Sequence, residues 1–69
     1  MDSQTKTVPI ADKYALTIEE AAVYYHIGEG KLRRIVQNNP SSDFVLWNGT
    51  RALIKREQFS RLLDRTNAI

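Results

Sequence analysis

Hydrophobic residues recur at helical spacing just after a marked helix start in the first third of the chain. The stretch TIEE, residues 17–20, is a capping box, in which the Thr17 hydroxyl and the Glu20 carboxylate each accept a hydrogen bond from the other residue's amide. The pattern predicts a first helix that ends near His26, where Gly28 provides a break with positive φ. One face of this helix is predicted to be buried, and it consists of Ile18, Ala21, Ala22 and Tyr25.

A second amphipathic helix is predicted over residues 29–37. Its apolar positions share one face and are Leu32, Ile35 and Val36. At ~100° per residue, Gly30, Arg34 and Gln37 lie almost opposite that face. The two basic residues that flank the apolar face on its two sides are Lys31 and Arg33. Two helices joined by a short turn, the second of them basic, are typical of a helix-turn-helix.

Residues 43–55, DFVLWNGTRALIK, predict a β-hairpin, because two apolar and aromatic runs surround an Asn-Gly pair at 48–49, the strongest short turn signal. A two-residue turn there would pair Trp47 with Thr50, and a three-residue turn would pair Trp47 with Arg51. The second register is preferred because it makes one face wholly apolar. That inner face consists of Phe44, Leu46, Ala52 and Ile54, and the outer face of Val45, Trp47, Arg51, Leu53 and Lys55.

The remaining segments complete a small α+β fold. Residues 14–16 predict a short extended piece, and residues 56–65 predict a last helix. The apolar stripe of that helix consists of Phe59, Leu62 and Leu63. We expect residues 1–7 to form a flexible N-terminus, residues 8–66 a single domain and residues 67–69 a tail. The predicted core consists of Ile18, Ala22, Leu32, Ile35, Phe44, Ile54, Phe59 and Leu62.

The composition is that of a small globular protein, with 42% hydrophobic and 26% charged residues in a chain of 69. The chain has no cysteine and one histidine, which argues against a disulfide scaffold and a structural zinc site. No apolar run approaches the ~20 residues that span a bilayer, and the N-terminus lacks a signal-peptide pattern. We therefore expect a cytoplasmic protein with no membrane or metal partner.

Charge is unevenly distributed along the chain, although the formal net charge is only +2. Residues 31–56 contain six basic residues and one acidic residue, a net charge of +5, while the rest of the chain carries −3. Segregated charge in a small domain indicates a one-sided electrostatic surface of the kind that binds nucleic acid. The alternative is chance clustering on a solvated surface.

No combination of residues predicts an enzyme site. His26 stands alone in the turn between the two helices, and Glu19 and Glu20 are helix neighbours rather than a facing pair of carboxylates. Residues 28–31, GEGK, lack the length and the preceding strand of a phosphate-binding loop. We therefore expect no catalytic residue, no metal and no cofactor.

The basic helix and the hairpin together predict a DNA interface. Arg34 and Gln37 can each offer a bidentate hydrogen-bond pair to a base edge, while Gly30 lets the start of the helix approach closely. Lys31 and Arg33 are placed at the sides of the helix, where phosphates lie. The hairpin is predicted to act as a wing on the backbone or in the adjacent minor groove, with contacts from Arg51, Lys55 and Trp47. The alternatives are a solvated helix face and, for the tryptophan, packing in the core.

Two long stretches of the chain resemble a known family. The stretches LTIEEAAVYYHIGEGKLRRIVQ, residues 16–37, and NGTRALIKREQFSRLLD, residues 48–64, are similar to the excisionases of conjugative transposons. These are small winged-helix proteins related to the helix-turn-helix module of MerR-type regulators. The resemblance implies a non-enzymatic factor that binds repeated sites near the ends of a mobile element, bends the DNA and helps a tyrosine-recombinase integrase to excise the element.

The resemblance also implies which residues meet double-stranded DNA. The second helix becomes the recognition helix, with contacts from Lys31, Arg33, Arg34 and Gln37. Gly30 stands where a polar side chain would add a contact, so no base readout is assigned to it. The wing becomes the minor-groove or backbone arm, with contacts from Asn48, Thr50 and Arg51. Backbone contacts are also expected from Thr17, Tyr24 and Arg56, the last because a cation near a helix start is disfavoured unless an anion is close.

Two other functions fit the same pattern. A MerR-like transcription regulator would use this fold, but would add an effector domain or a long dimerisation helix, and the chain ends at Ile69 with neither. A protein-interaction adaptor would direct the basic face to an acidic partner and would not bind duplex DNA even at low salt. For the excisionase, contacts between adjacent copies are also possible, through residues 64–69 or Leu53.

Overall fold

The computed structural model describes residues 8–69, and the prediction of a flexible segment at residues 1–7 lies outside them. A 3₁₀ turn at Ile10–Asp12 precedes two helices, a hairpin and a third helix. In chain order the strands and helices are β1 (Ala15–Leu16), α1 (Ile18–Tyr25), α2 (Glu29–Asn38), β2 (Val45–Asn48), β3 (Arg51–Lys55) and α3 (Arg56–Asp64). The predicted α+β winged-helix architecture is confirmed.

The turn between α1 and α2 is tight, and its geometry differs from the prediction in one respect. Helix α1 starts at the predicted capping box, in which the Glu20 amide donates to Thr17 Oγ1 over 3.1 Å and the Thr17 amide donates to Glu20 Oε1 over 3.0 Å. The helix ends at His26, whose φ of 58° lies in the left-handed region, whereas Gly28 has a φ of −61°. The prediction that Gly28 takes a positive φ is therefore wrong, and His26 makes the break instead.

The three strands form an antiparallel sheet in which β3 lies between β1 and β2. The preferred hairpin register is wrong, because Trp47 pairs with Ala52 and Asn48 pairs with Arg51. The loop therefore contains only Gly49 and Thr50. Gly49 has a φ of +66° and Thr50 does not have a positive φ, which is the pattern of a type II′ turn.

The observed register changes which residues of β2 face the core. Directly opposed residues share a face of the sheet, so Val45 and Trp47 lie on the same side as Ala52 and Ile54. Leu46 pairs with Leu53 on the other side. The prediction had these two faces of β2 exchanged, although it assigned the faces of β3 correctly. The apolar outward position of Leu53 is thus matched by a leucine directly opposite it.

The core lies between the sheet and the three helices. Five of the predicted core residues are buried, and they are Ile18, Leu32, Phe44, Ile54 and Phe59. Ala22, Ile35 and Leu62 are only partly buried and pack against this core. The remaining buried apolar residues, which the core prediction omitted, are Leu16, Ala21, Ile27, Val36 and Val45.

An aromatic cluster joins α1 to α3 and fixes the helix-turn-helix on the rest of the fold. The Tyr25 ring lies edge-on to Phe59, with ring centroids 5.0 Å apart. Its hydroxyl donates to the carbonyl oxygen of Arg56 over 2.7 Å and lies 2.9 Å from Ser60 Oγ. Burial of the ring raises the pKa of the Tyr25 hydroxyl above its ordinary value. Because the turn after α1 is short, this anchor also sets the position of α2.

Candidate nucleic-acid interface

Helix α2 has one buried side and one exposed side, as predicted. Leu32 and Val36 are buried in the core, and Ile35 is half-buried beside them. Arg34 and Gln37 are both exposed, so the polar side of the helix points to solvent. Gly30 is also exposed, and a Cβ atom added there would meet nothing within 4 Å. This arrangement leaves the start and the outward side of α2 open to a large ligand.

A cleft of about 340 Å³ separates α2 from the hairpin. It brings together five of the predicted DNA contacts from two elements. The residues that line it are Ile18, Glu19, Arg33, Val36, Gln37, Trp47, Thr50, Arg51 and Ala52. The buried residues of its lining are apolar, and the exposed ones include the two arginines, Gln37 and one carboxylate. The side chains of the helix and of the wing therefore border one continuous surface.

Trp47 forms part of the cleft wall rather than the outer surface of the wing. It shares the core-facing side of the sheet with Val45, but it is still 48% exposed. Its indole Nε1 donates to the carbonyl oxygen of Pro40 over 3.0 Å, which fixes the ring against the loop after α2. The prediction that Trp47 lies on the outer face is wrong, because the register differs by one residue. Its place beside Gln37 and Thr50 nevertheless keeps it within the candidate interface.

Arg33 is paired with two carboxylates that sequence reasoning did not connect to it. One of its terminal nitrogens lies 3.2 Å from Glu29 Oε1 and 3.5 Å from Glu19 Oε2. The four-residue spacing of Glu29 and Arg33 on one helix was a signal that could have found the first pair. The second pair joins α1 to α2, and no local pattern in the sequence indicates it.

Lys31 and Lys55 are placed away from the cleft. The Lys31 ammonium, on α2, donates to the main-chain carbonyl oxygen of Ile69 over 2.8 Å. Lys55 is the last residue of β3 and lies opposite Ala15 of β1, at the end of the strand remote from the turn. At about 3.3 Å per residue, roughly 13 Å of strand separates it from Arg51. The structure therefore does not bring these two lysines together with the wing tip.

The three predicted backbone contacts also lie outside the cleft. The Arg56 side chain is only 22% exposed, and its Nε donates to the carbonyl oxygen of Lys13 over 3.0 Å. The Thr17 hydroxyl is occupied by the capping box at the start of α1. Tyr24 is exposed on α1, and its ring lies edge-on to Tyr25 with centroids 4.9 Å apart. Arg56 and Thr17 therefore have structural partners of their own.

Other types of site receive no support from residues 8–69. Within that range no group of three or more His, Cys, Asp or Glu residues is placed to hold a metal ion. None of the helices described for the chain has the length and apolar character needed to cross a membrane. The cleft between α2 and the hairpin thus stays the main candidate for function.

Comparison with known proteins identifies the family. The model of the family described as excisionase from transposon Tn916 matches residues 1–69. The chain is also 47% identical over 62 residues to the excisionase from transposon Tn916 of Streptococcus agalactiae serotype V (strain ATCC BAA-611 / 2603 V/R), a match that covers 90% of this chain and 92% of the relative. The chain belongs to the Tn916 excisionase family.

Membership of the Tn916 excisionase family gives the chain its general function. Excisionases of this family are recombination directionality factors that assist the excision of a mobile element, and DNA binding is consistent with that activity. The family assignment favours an accessory factor of recombination over a MerR-like regulator or an interaction adaptor. It also agrees with the resemblance seen in residues 16–37 and 48–64.

Proposed function

We propose that this excisionase binds specific DNA sites near the ends of its element, bends the DNA, and so helps a tyrosine-recombinase integrase to assemble the excision complex. It contributes no catalytic group of its own and needs no cofactor. As a factor that acts on DNA, it is proposed to work in the cytoplasm. Residues 8–66 are proposed as the DNA-binding module.

The observation that carries the proposal is the outward orientation of α2 beside the hairpin. Arg34 and Gln37 lie on the exposed side of a helix whose opposite side is anchored by Leu32 and Val36. A helix of this diameter fits the major groove, where an arginine can read guanine and a glutamine can read adenine through paired hydrogen bonds. We assign base recognition to these two side chains, with Gly30 allowing the close approach.

The cleft gives the wing its proposed role. When α2 occupies the major groove, a hairpin beside it meets the backbone or the adjacent minor groove. Asn48, Thr50 and Arg51 surround the turn and are exposed, so they are the proposed wing contacts. Trp47 is proposed to contact the sugar and backbone from the cleft wall, where Pro40 holds it. Lys55 and Arg56 lie at the other end of β3. They are proposed to attract phosphates at long range without contacting them.

The test is a titration of the protein with duplexes that carry the ends of its element, alongside a scrambled duplex of equal length. Arg34→Ala should weaken the binding free energy for the cognate duplex by roughly 1–3 kcal/mol. It should also reduce the preference for the cognate over the scrambled duplex, because a base contact carries sequence information. Arg61→Ala is the matched control, since it removes an equal charge from the exposed side of α3.

Arg61→Ala should change the affinities for the cognate and the scrambled duplex slightly and equally. If Arg34→Ala weakens binding to both duplexes by the same factor, Arg34 is a phosphate contact and the assignment of base recognition is wrong. If the wild-type protein binds neither duplex at low salt, the proposed DNA-binding function itself is wrong. A binder with about 4–6 phosphate contacts should also lose affinity steeply as the salt concentration rises.

A further inference from the structure

An acidic residue lies in the cleft where the proposed DNA backbone would pass. Glu19 lines the cleft together with Arg33 and Arg51. The Glu19 carboxylate is 60% exposed and is 3.5 Å from the guanidinium of Arg33, which is 51% exposed. Glu29 holds the same guanidinium from the preceding turn of α2 at 3.2 Å. These three charged groups together carry a formal charge of −1, so Arg33 adds no net positive charge to this side of α2 in the free protein.

The pairing has a direct consequence for DNA binding. Before Arg33 can contact a phosphate, it must leave one or both carboxylates, and Glu19 must tolerate an anion nearby. Exposed ion pairs are weak, so a phosphate can compete with them and the exchange is possible. The two carboxylates therefore lower the affinity of Arg33 for phosphates without abolishing it.

We propose that Glu19 is a specificity-determining residue, which restrains Arg33 from binding the phosphates of DNA that lacks the cognate sequence. This inference rests on the proposed function of the α2–hairpin surface. Non-specific complexes are held by phosphate contacts alone, so the restraint weakens them most. In the cognate complex, base contacts fix the register of α2, so a smaller share of the binding free energy depends on a contact between Arg33 and a phosphate.

Glu19→Gln tests this role, and Glu57→Gln is a closely matched control. Glu19 and Glu57 are each the second residue of a helix, so both substitutions remove one charge from the same position relative to a helix dipole. Glu57 lies on α3, where its carboxylate is 3.8 Å from Arg56 and Arg61 and does not line the cleft. Affinities for a cognate duplex and a random duplex of equal length are measured over a range of salt concentrations.

Glu19→Gln should raise the affinity for the random duplex about fivefold at low salt, with a change of about one in the slope of log affinity against log salt, as expected for one added phosphate contact. The affinity for the cognate duplex should rise about twofold or less, so the specificity ratio falls. Glu57→Gln should change both affinities equally and slightly. In the double variant Glu19→Gln/Arg33→Ala, the gain on the random duplex should disappear.

Three results would overturn the inference while leaving the proposed function intact. In the first, Glu19→Gln behaves like Glu57→Gln, which means that the carboxylate has no local effect on DNA binding. In the second, the affinities for both duplexes rise equally, which means that Glu19 lowers affinity but does not affect specificity. In the third, the gain persists in the double variant, which means that the effect does not pass through Arg33. By contrast, a wild-type protein that binds no duplex refutes the proposed function instead.

Discussion

His26 is the only non-glycine residue with a positive φ among residues 8–69, and it ends α1 in the left-handed conformation. Its amide donates to the carbonyl oxygen of Ala22, which completes the last turn of the helix. Residues with a Cβ atom pay roughly 1–2 kcal/mol for this conformation, whereas glycine does not. The side chain is exposed, so it offers little packing in return.

His26→Gly should therefore increase the free energy of unfolding by about 0.5–1 kcal/mol, after allowance for the greater freedom of glycine in the unfolded chain. Urea denaturation monitored by circular dichroism measures the change. His26→Ala is the matched comparison, because alanine keeps the Cβ atom and the strain, and it should bring no such increase. Equal stabilisation by both substitutions would show that the histidine side chain, rather than the backbone conformation, was unfavourable.

At the scale of elements, the start of α1 couples folding to pH. The Glu20 carboxylate accepts from the Lys13 ammonium and from the Thr17 amide, so it ties the 3₁₀ segment to the helix. The hydrogen bond with Lys13 contributes most to lowering the pKa of Glu20 below its ordinary value of 4.5, and the Thr17 amide comes next. A carboxyl with a lowered pKa in the folded state binds its proton less readily there than in the unfolded state.

The stability that Glu20 contributes is therefore present above pH 4.5 and is lost as the pH falls below that value through the lower pKa of the folded state. Glu20→Gln should flatten the fall in unfolding free energy between about pH 5 and pH 3, because the glutamine side chain can still cap the helix but does not titrate. Chemical denaturation at a series of pH values measures this. Glu57→Gln, on the exposed start of α3, should leave most of the slope in place.

The start of α2 gives a prediction that separates folding from binding. Gly30 lies in the first turn of the helix, faces solvent, and has open space where a Cβ atom would stand. Gly30→Ala should increase the unfolding free energy by about 0.5–1 kcal/mol, because alanine is the better helix former. If the end of the helix approaches DNA closely, the same variant should bind the cognate duplex several-fold more weakly. Unchanged affinity in the stabilised variant would show that no close approach occurs there.

The elements were predictable from local chemistry, but the hairpin register was not. The capping box and the three-residue spacing of apolar positions located α1 and α2 to within about a residue. In β2 every residue from Phe44 to Trp47 is apolar, so alternation could not tell its two faces apart. The hairpin register depends on the Gly49–Thr50 loop and on which face of the sheet the helices cover. The second of these is a tertiary property that alternation along one strand does not reveal.

At the scale of the whole molecule, the cationic surface around α2 is weaker than the charge of the sequence alone predicts. The basic segment of residues 31–56 folds into two separate regions, one around α2 and the turn of the hairpin and one around Lys55 and Arg56. Arg33 forms ion pairs with Glu19 and Glu29, two carboxylates that precede that segment in the sequence. The outward residues of α2 could be predicted from helical periodicity, and the Glu29–Arg33 pair from its four-residue spacing, but the Glu19–Arg33 pair between two helices could not.

The two basic regions make a final prediction possible, because β3 carries one cation at each end. Arg51 stands opposite Asn48 beside the turn, whereas Lys55 stands opposite Ala15 at the base of the sheet. If the hairpin presses on the backbone while α2 holds the major groove, Arg51→Ala should reduce the DNA bend and weaken binding about two- to fivefold, as for the loss of a phosphate contact. Lys55→Ala removes an equal charge and should leave the bend unchanged.

A gel phasing assay on the cognate duplex measures the bend for the wild type and both variants at one salt concentration. Reduction by Arg51→Ala alone means that the turn of the hairpin acts on the DNA, since a general loss of charge would affect both variants alike. Equal reduction by both substitutions would mean that overall charge, and not the wing, determines the bend. A bend that neither substitution changes would place the bending contacts on α2, and the hairpin would then serve only to position that helix through the cleft they share.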